Sequence, residues 1–231
     1  MIYVMSDLHG CYKKYKKMLS LIDLKENDTL YILGDIVDRG PDGIKILLDL
    51  IPRKNVIALR GNHDHKAGIM LNRLMKPKES IARNRFEKQF DFWISDGGKP
   101  TYESFLRLEE AEKVNVLNYL LEMRFYWKMN VAERRYLFAH TVPEKEKMPA
   151  MPELCAWCSG RDYILGEPDY DEIYFDDVTI VTGHTPTVLI DKNFAGRIWK
   201  GNNHIAVDCG AVFGNPLGCI CLDTMQEFYV E

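Results

Sequence analysis

No stretch of this chain approaches the roughly 20 consecutive apolar residues that a membrane-crossing helix needs. Met1 to Met5 leads directly into Ser6-Asp7, without the basic and apolar blocks of a secretory signal. A cytoplasmic protein with reduced thiols and no membrane partner is therefore expected. Excess positive charge is missing too: 30 Lys and Arg stand against 34 Asp and Glu, so a nucleic-acid backbone is not the expected partner. The local exception, Lys13, Lys14, Lys16 and Lys17, reads as the wet face of an amphipathic helix whose other face carries Tyr12, Tyr15, Leu19 and Ile22. Cysteine is sparse, 6 in 231 residues. Cys155 and Cys158 have the spacing of a redox pair or half a zinc site, but no second pair or nearby histidine completes it. No repeat, low-complexity tract or linker divides the chain, so a single domain over 1–231 is expected.

What is present is a series of short apolar runs, each ending in a polar side chain able to bind a metal. Ile2-Tyr3-Val4-Met5 reads as a strand that exits into Asp7 and His9. Tyr31-Ile32-Leu33 runs into Gly34-Asp35-Ile36-Val37-Asp38-Arg39-Gly40, and Val56 to Leu59 runs into Arg60-Gly61-Asn62-His63-Asp64. Helical patterns between these strands give the alternation of a parallel sheet with functional loops at its carboxyl edge. From about 65 to 124 the pattern is helical, with Ile81, Phe86, Phe90 and Trp93 on one stripe and Val114, Leu117 and Leu121 on another. This segment reads as a helical insert beside the sheet. Tyr136 to Ala139 ends at His140, and Thr179 to Thr182 leads to Gly183-His184. The rest is β-rich (Val188 to Ile190, Arg197 to Lys200, Ile205 to Asp208, Gly218 to Leu222, Glu227 to Val230), which supplies a second sheet.

Asp7, His9, Asp35, Asn62, His140 and His184 form a mixed oxygen and nitrogen set without thiolate. Such a set suits Mn, Fe or Zn and is too rich in nitrogen for Ca. Six groups exceed one open tetrahedral site but suffice for two ions if Asp35 bridges, and a metal pair can share a hydroxide and clamp a phosphoryl group. His63 is placed to act as the acid for the leaving oxygen, with Asp38 to orient it. Arg39, and Arg161 in Trp157-Cys158-Ser159-Gly160-Arg161, are candidate phosphate clamps. His65 and His204 read as ordinary surface or loop histidines.

The ordered set SDLHG, GDIVDRG, GNHD, His140 and GHTP resembles the signature series of the metallophosphoesterases. More narrowly it is similar to the phosphoprotein phosphatases of bacteria and bacteriophages, as are WISDGG in the insert and VDCGAVFGNPLG near the C-terminus. The resemblance implies a four-layer α/β/β/α sandwich. It also implies that Asp7, His9 and Asp35 hold one divalent ion, that Asp35, Asn62, His140 and His184 hold the other, and that Mn2+ is the expected metal. The expected activity is dephosphorylation of phosphoserine and phosphothreonine, with phosphotyrosine as an extension, on a phosphoprotein or a phosphorylated small molecule. The alternative on the same site is hydrolysis of dinucleoside polyphosphates, against which the acidic surface and the lack of a base-stacking motif weigh. Asp64, where phosphoprotein phosphatases carry Glu, is a variant expected in diadenosine tetraphosphate hydrolases. A non-catalytic metal-binding scaffold is the remote third reading.

Overall fold

Alternation along the strands sorts their side chains into two cores. In β1 (Ile2–Met5), Tyr3 and Met5 join the core shared with the helices, whereas Val4 joins a second core between two sheets. The same division runs through β2 (Thr29–Ile32), where Leu30 and Ile32 face helices and Tyr31 faces the other sheet. The computed structural model describes residues 1–76, 83–148 and 160–231. Within them β1 and β2 pair in parallel, and β2 pairs in parallel with β3 (Val56–Ala58). β9 (Leu217–Cys221) and β10 (Glu227–Val230) extend this sheet antiparallel beyond β1, giving the order β10-β9-β1-β2-β3. The second sheet has the order β4-β5-β6-β8-β7, built from β4 (Tyr126–Val131), β5 (Arg134–Ala139), β6 (Val178–Thr182), β7 (Trp199–Gly201) and β8 (His204–Ala206). Tyr31, Leu33 and Ile220 from one sheet meet Tyr136, Phe138 and Val181 from the other to seal the space between them.

The outer face of the first sheet is covered by α1 (Tyr12–Leu21), α2 (Gly43–Leu50) and α3 (Asn62–Met75), together with α4 (Arg83–Trp93), α5 (Lys99–Leu106) and α6 (Glu110–Glu122). Trp93, Phe105 and Leu120 share one core with Met5 and Ile32, so the helical segment packs as part of the sheet's own layer. On the outer face of the second sheet, Leu137, Ala139, Val178 and Ile180 pack against Tyr163 of α7 (Asp162–Leu165), Tyr174 and Phe175. The result is the expected mixed α/β sandwich of two sheets and flanking helices.

Several local expectations are corrected. Val188 to Ile190, read as a strand, forms one helical turn, α8 (Thr187–Ile190), anchored where the Thr187 N–H donates to the Asp208 carbonyl at 2.9 Å. On α6 the buried stripe is Val116, Leu117 and Leu120, while Val114 and Leu121 are exposed. Both registers satisfy helical spacing, and the one chosen turns Val116, Leu117 and Leu120 into the core shared with the first sheet. His204 is buried within β8, not on a surface loop. Ile81, Trp157, Cys155 and Cys158 lie outside the described residues; Cys11, Cys209, Cys219 and Cys221 are free thiols. Among the described residues no helix is long and apolar enough to cross a membrane.

Candidate metal centre

The loops that follow β1 and β2 are locked to one another by backbone hydrogen bonds. Asp7 N–H donates to the Gly34 carbonyl at 3.1 Å, His9 N–H to that of Asp35 at 2.8 Å, and Gly10 N–H to that of Ile36 at 2.9 Å. Asp64, in the first turn of α3, fixes the second loop from the other side. Its buried carboxylate accepts from the backbone N–H groups of Asp35, Ile36, Val37 and Gly61. Gly61 is required here because any Cβ would overlap the Asp35 carboxylate. His140, just past β5, reaches across the sandwich and donates from Nδ1 to the Leu33 carbonyl at 2.8 Å. His184, past β6, donates its backbone N–H to Asp7 Oδ2 at 2.9 Å. Carboxyl ends of strands from both sheets therefore meet at one rim.

Side chains converge there in two groups that share Asp35. In each group the ligand atoms lie within 4.8 Å of one another: His9, Asp35 and His63 in the first, and Asp35, His140 and His184 in the second. Asn62 Oδ1 lies 2.9 Å from His140 Nε2 and 3.1 Å from His184 Nδ1, and those two nitrogens are themselves 3.1 Å apart. With Nδ1–H of His140 spent on Leu33, its Nε2 is a lone pair facing the Asn62 oxygen. Such converging acceptors suit a cation better than one another. His9 repeats the pattern: Nδ1–H donates to the Val37 carbonyl at 3.0 Å, leaving Nε2 at 3.4 Å from Asp35 Oδ2.

The electrostatics agree with a site built for positive charge. Burial, reinforced by neighbouring Asp7 and Asp64, pushes the Asp35 carboxyl well above its ordinary range, although His63 opposes the rise. Burial also opposes ionisation of Asp7, but the charges of His140 and His9 outweigh it and hold this carboxyl below its usual value. Burial keeps His9 neutral down to about 3 and His184 down to about 4. Neutral imidazoles beside buried carboxylates form a suitable donor set for divalent ions.

Beside these ligands lies a histidine–carboxylate pair. His63 Nδ1–H donates to Asp38 Oδ2 at 2.9 Å, with both side chains buried. Burial lowers the basicity of this imidazole, yet Asp38 and the charge of Asp35 more than compensate, and its pKa is raised. Asp38 Oδ2 also accepts the Trp93 indole N–H at 2.9 Å, and the Asp38 backbone N–H donates to Thr101 Oγ1 at 2.9 Å. Two helical elements of the insert thus hold Asp38, one at its carboxylate and one at its backbone N–H. Arg39 spans the first group, donating to His9 Nε2 at 2.9 Å and to His63 Nε2 at 3.1 Å. The WISDGG stretch explains this placement. The Gly97 carbonyl accepts the Arg39 N–H, and a Cβ on Gly98 would overlap the Trp93 indole.

Of the residues expected at the site, Asp7, His9, Asp35, Asp38, Arg39, Asn62, His63, His140 and His184 are assembled together. Arg161 is exposed at the start of α7, and among the described residues no hydrogen bond or ion pair joins it to the cluster. Three residues at the site were not expected from sequence. Trp93 and Thr101 act through Asp38; the sequence marked Trp93 only as a core aromatic and as the first residue of WISDGG, and nothing in its local pattern marks Thr101. Asp208 is a further strand-exit carboxylate, buried after β8, and its signal was the same apolar run that flagged the others. Burial and the charge of Asp7 push the Asp208 carboxyl well above its normal range.

Two sheets that deliver histidines, an asparagine and aspartates to one rim, beside a histidine–carboxylate pair and an arginine, define a metal-dependent phosphoesterase architecture. Residues 1–188 match the calcineurin-like phosphoesterase family model, and the chain belongs to that family. Among curated proteins it is 26% identical to the symmetrical bis(5'-nucleosyl)-tetraphosphatase of Haemophilus ducreyi, over 99% of this chain and 98% of that one. It is 25% identical to an asymmetrical bis(5'-nucleosyl)-tetraphosphatase of Oceanobacillus iheyensis, over 94% and 86%. A stronger but shorter match, 34% identical to the symmetrical enzyme of Buchnera aphidicola, covers 49% of this chain and 40% of the relative. In such short matches the chain spans less than half the relative's length. The structure superposes with a TM-score of 0.64 on that of a candidate diadenosine tetraphosphatase, at 17% identity over 99% and 92% of the chains. A protein serine/threonine phosphatase of Saccharomyces cerevisiae gives 0.62 at 13% identity, over 100% and 79%. At those identities the likeness is one of fold.

These findings correct the expected activity. The phosphoserine/phosphothreonine phosphatase reading is overturned, because the curated relatives are named as bis(5'-nucleosyl)-tetraphosphatases. The phosphoprotein substrate falls with it. A metal-dependent hydrolase of the calcineurin-like class stands, and divalent ions are its implied cofactor.

Proposed function

We propose that this protein hydrolyses dinucleoside tetraphosphates. The observation that carries the reading is the end-to-end alignment with the Haemophilus enzyme, which covers nearly all of both chains. Asp7, His9 and Asp35 would hold one divalent ion, and Asp35, Asn62, His140 and His184 the second. When bound, such ions supply Lewis acidity to phosphoryl oxygens and activate water for in-line attack. The chain's own contribution is positioning and proton traffic. Asp38, held by Trp93 and Thr101, keeps the His63 ring in one orientation and raises its basicity. The leaving phosphate oxygen takes its proton from His63 Nε2 as the phosphorus–oxygen bond breaks.

Arg39 must move for this to happen. Ligation by His9 and proton carriage by His63 both need the Nε2 atoms to which Arg39 donates. An incoming phosphate offers that guanidinium a better, bidentate acceptor. Arg161 is proposed as a second clamp from α7, and Arg161→Ala would then weaken inhibition by inorganic phosphate.

Chromatography of products from diadenosine tetraphosphate tests the reading. ADP alone marks symmetrical cleavage, and AMP with ATP marks asymmetrical cleavage. Turnover of phosphopeptides with the dinucleotide left intact would reject the proposal.

A further inference from the structure

A dinucleoside tetraphosphate ends in nucleosides, and no local sequence pattern in this chain marks a place for one. The structure offers a candidate in a cavity of about 390 Å³ that opens beside Asn62, between α3, α4 and α7. Ile69, Phe92 and Leu165 wall it, and Lys66, Arg73 and Lys88 line it with positive charge. Among the described residues lining it, none is a carboxylate. Phe92 is 63% exposed and Leu165 49%, so both offer open apolar surface at the cavity's edge. Phe92 lies off the Phe86, Phe90 and Trp93 stripe that packs into the core, so packing does not account for it. Lys66 is held over its ring, with Nζ 4.8 Å from the centroid, and is paired with Asp96. Arg73 is held by Gln89.

A larger groove on the molecule has the opposite character. Its volume is about 1590 Å³, and Glu144, Glu167, Asp169, Asp171 and Glu172 line it. A polyanion is repelled there and attracted to the cavity beside Asn62.

We propose that the cavity bounded by Phe92, Ile69 and Leu165 is the subsite for one nucleoside end of the substrate. The base stacks on Phe92. Lys66 and Lys88 neutralise the phosphates that lead from it toward Asn62 and the metal centre. The assignment rests on the dinucleoside polyphosphate reading above and extends it to a recognition element carried by the helical insert.

Two measurements on metal-loaded protein test it. The first is calorimetric binding of adenosine 5'-(α,β-methylene)diphosphate, which carries one base and a phosphate chain that resists cleavage. Wild type binds it, Phe92→Ala binds on the order of tenfold more weakly, the scale of one lost base–aromatic stack, and Phe92→Trp restores binding. The second compares kcat/KM for diadenosine tetraphosphate with that for inorganic tetraphosphate, which has no base. The ratio falls about tenfold in Phe92→Ala and is held in Phe92→Trp. If wild type cleaves the dinucleotide while Phe92→Ala leaves both the binding and the ratio unchanged, the subsite assignment is wrong and the activity stands. If wild type leaves the dinucleotide intact, the activity reading fails, and the binding arm alone decides whether the cavity holds a nucleotide. No binding by wild type, or equal binding by wild type and Phe92→Ala, overturns the subsite in either case.

Discussion

Asp7, His9, Asp35, Asp38, Arg39 and His184 all have positive φ, between 38° and 67°. A side chain in that region costs about 1–3 kcal/mol and persists only where its surroundings outweigh that cost, as the interlocked loops and the Asp64 carboxylate do here. The strained backbone aims each functional group at the rim, so glycine would relax the loop and delete the chemistry together. Asp35 is the one carboxylate common to both groups of ligand atoms. Asp35→Ala is expected to abolish turnover and to lower metal content, read by elemental analysis of dialysed protein. His63→Asn should keep its metal and lose turnover by on the order of 10²–10⁴-fold on an alkyl phosphate, whose leaving oxygen needs a proton. Wild-type turnover of that substrate by His63→Asn would remove the acid assignment. Trp93→Phe deletes one of two donors to Asp38 Oδ2. It should lower kcat on the order of tenfold, the worth of one hydrogen bond to a charged acceptor, with KM nearly unchanged.

At the scale of the element, the strands that end at ligands were legible because each is a short apolar run closed by glycine and a polar residue. β1 and β10 fall within the predicted bounds. The errors came where a run was too short or too symmetrical to decide. Val188 to Ile190 has two β-branched residues around Leu189, yet among the described residues it pairs with no strand, and the Asp208 carbonyl captures the first turn as α8. The stripe on α6 is ambiguous by one position in the sequence, and tertiary packing selects the register that buries Val116, Leu117 and Leu120. Trp93 was legible as a core aromatic and as the start of WISDGG, but its role toward Asp38, like that of Thr101, was not, because it depends on a contact made 55 or more residues away along the chain. The cationic face of α1 was read as solvated, and part of it is tied down. Lys16 joins Tyr15 and Arg53 around Asp49 of α2. Burial opposes ionisation of Asp49, but Arg53, Tyr15 and Lys16 prevail and hold its carboxyl at about 2. A carboxyl below its ordinary value stabilises the fold above pH ~4 and loses that contribution as pH falls toward 2. Asp49→Asn should therefore unfold at lower urea than wild type at pH 7, with the gap closing by pH 2–3. A gap that is constant with pH would show that the network acts through packing alone.

For the molecule as a whole, the candidate ligands follow β1, β2 and β3 of one sheet and β5 and β6 of the other. Ions bound by them would pin the two sheets together and stabilise the folded chain by linkage. With free metal at 100 times its dissociation constant the gain is about 2.7 kcal/mol, which for a chain of this size raises Tm by roughly 5–10 °C. Thermal melts with and without a chelator measure it, and coincident curves would separate metal binding from the sandwich. The same spread along the chain has a consequence for synthesis. Asp7 is made well before its hydrogen-bond partner His184, 177 residues further on. A nascent chain that stops short of His184 lacks one of the candidate ligands, so metal-dependent turnover would arise only after strands of both sheets have been made and paired.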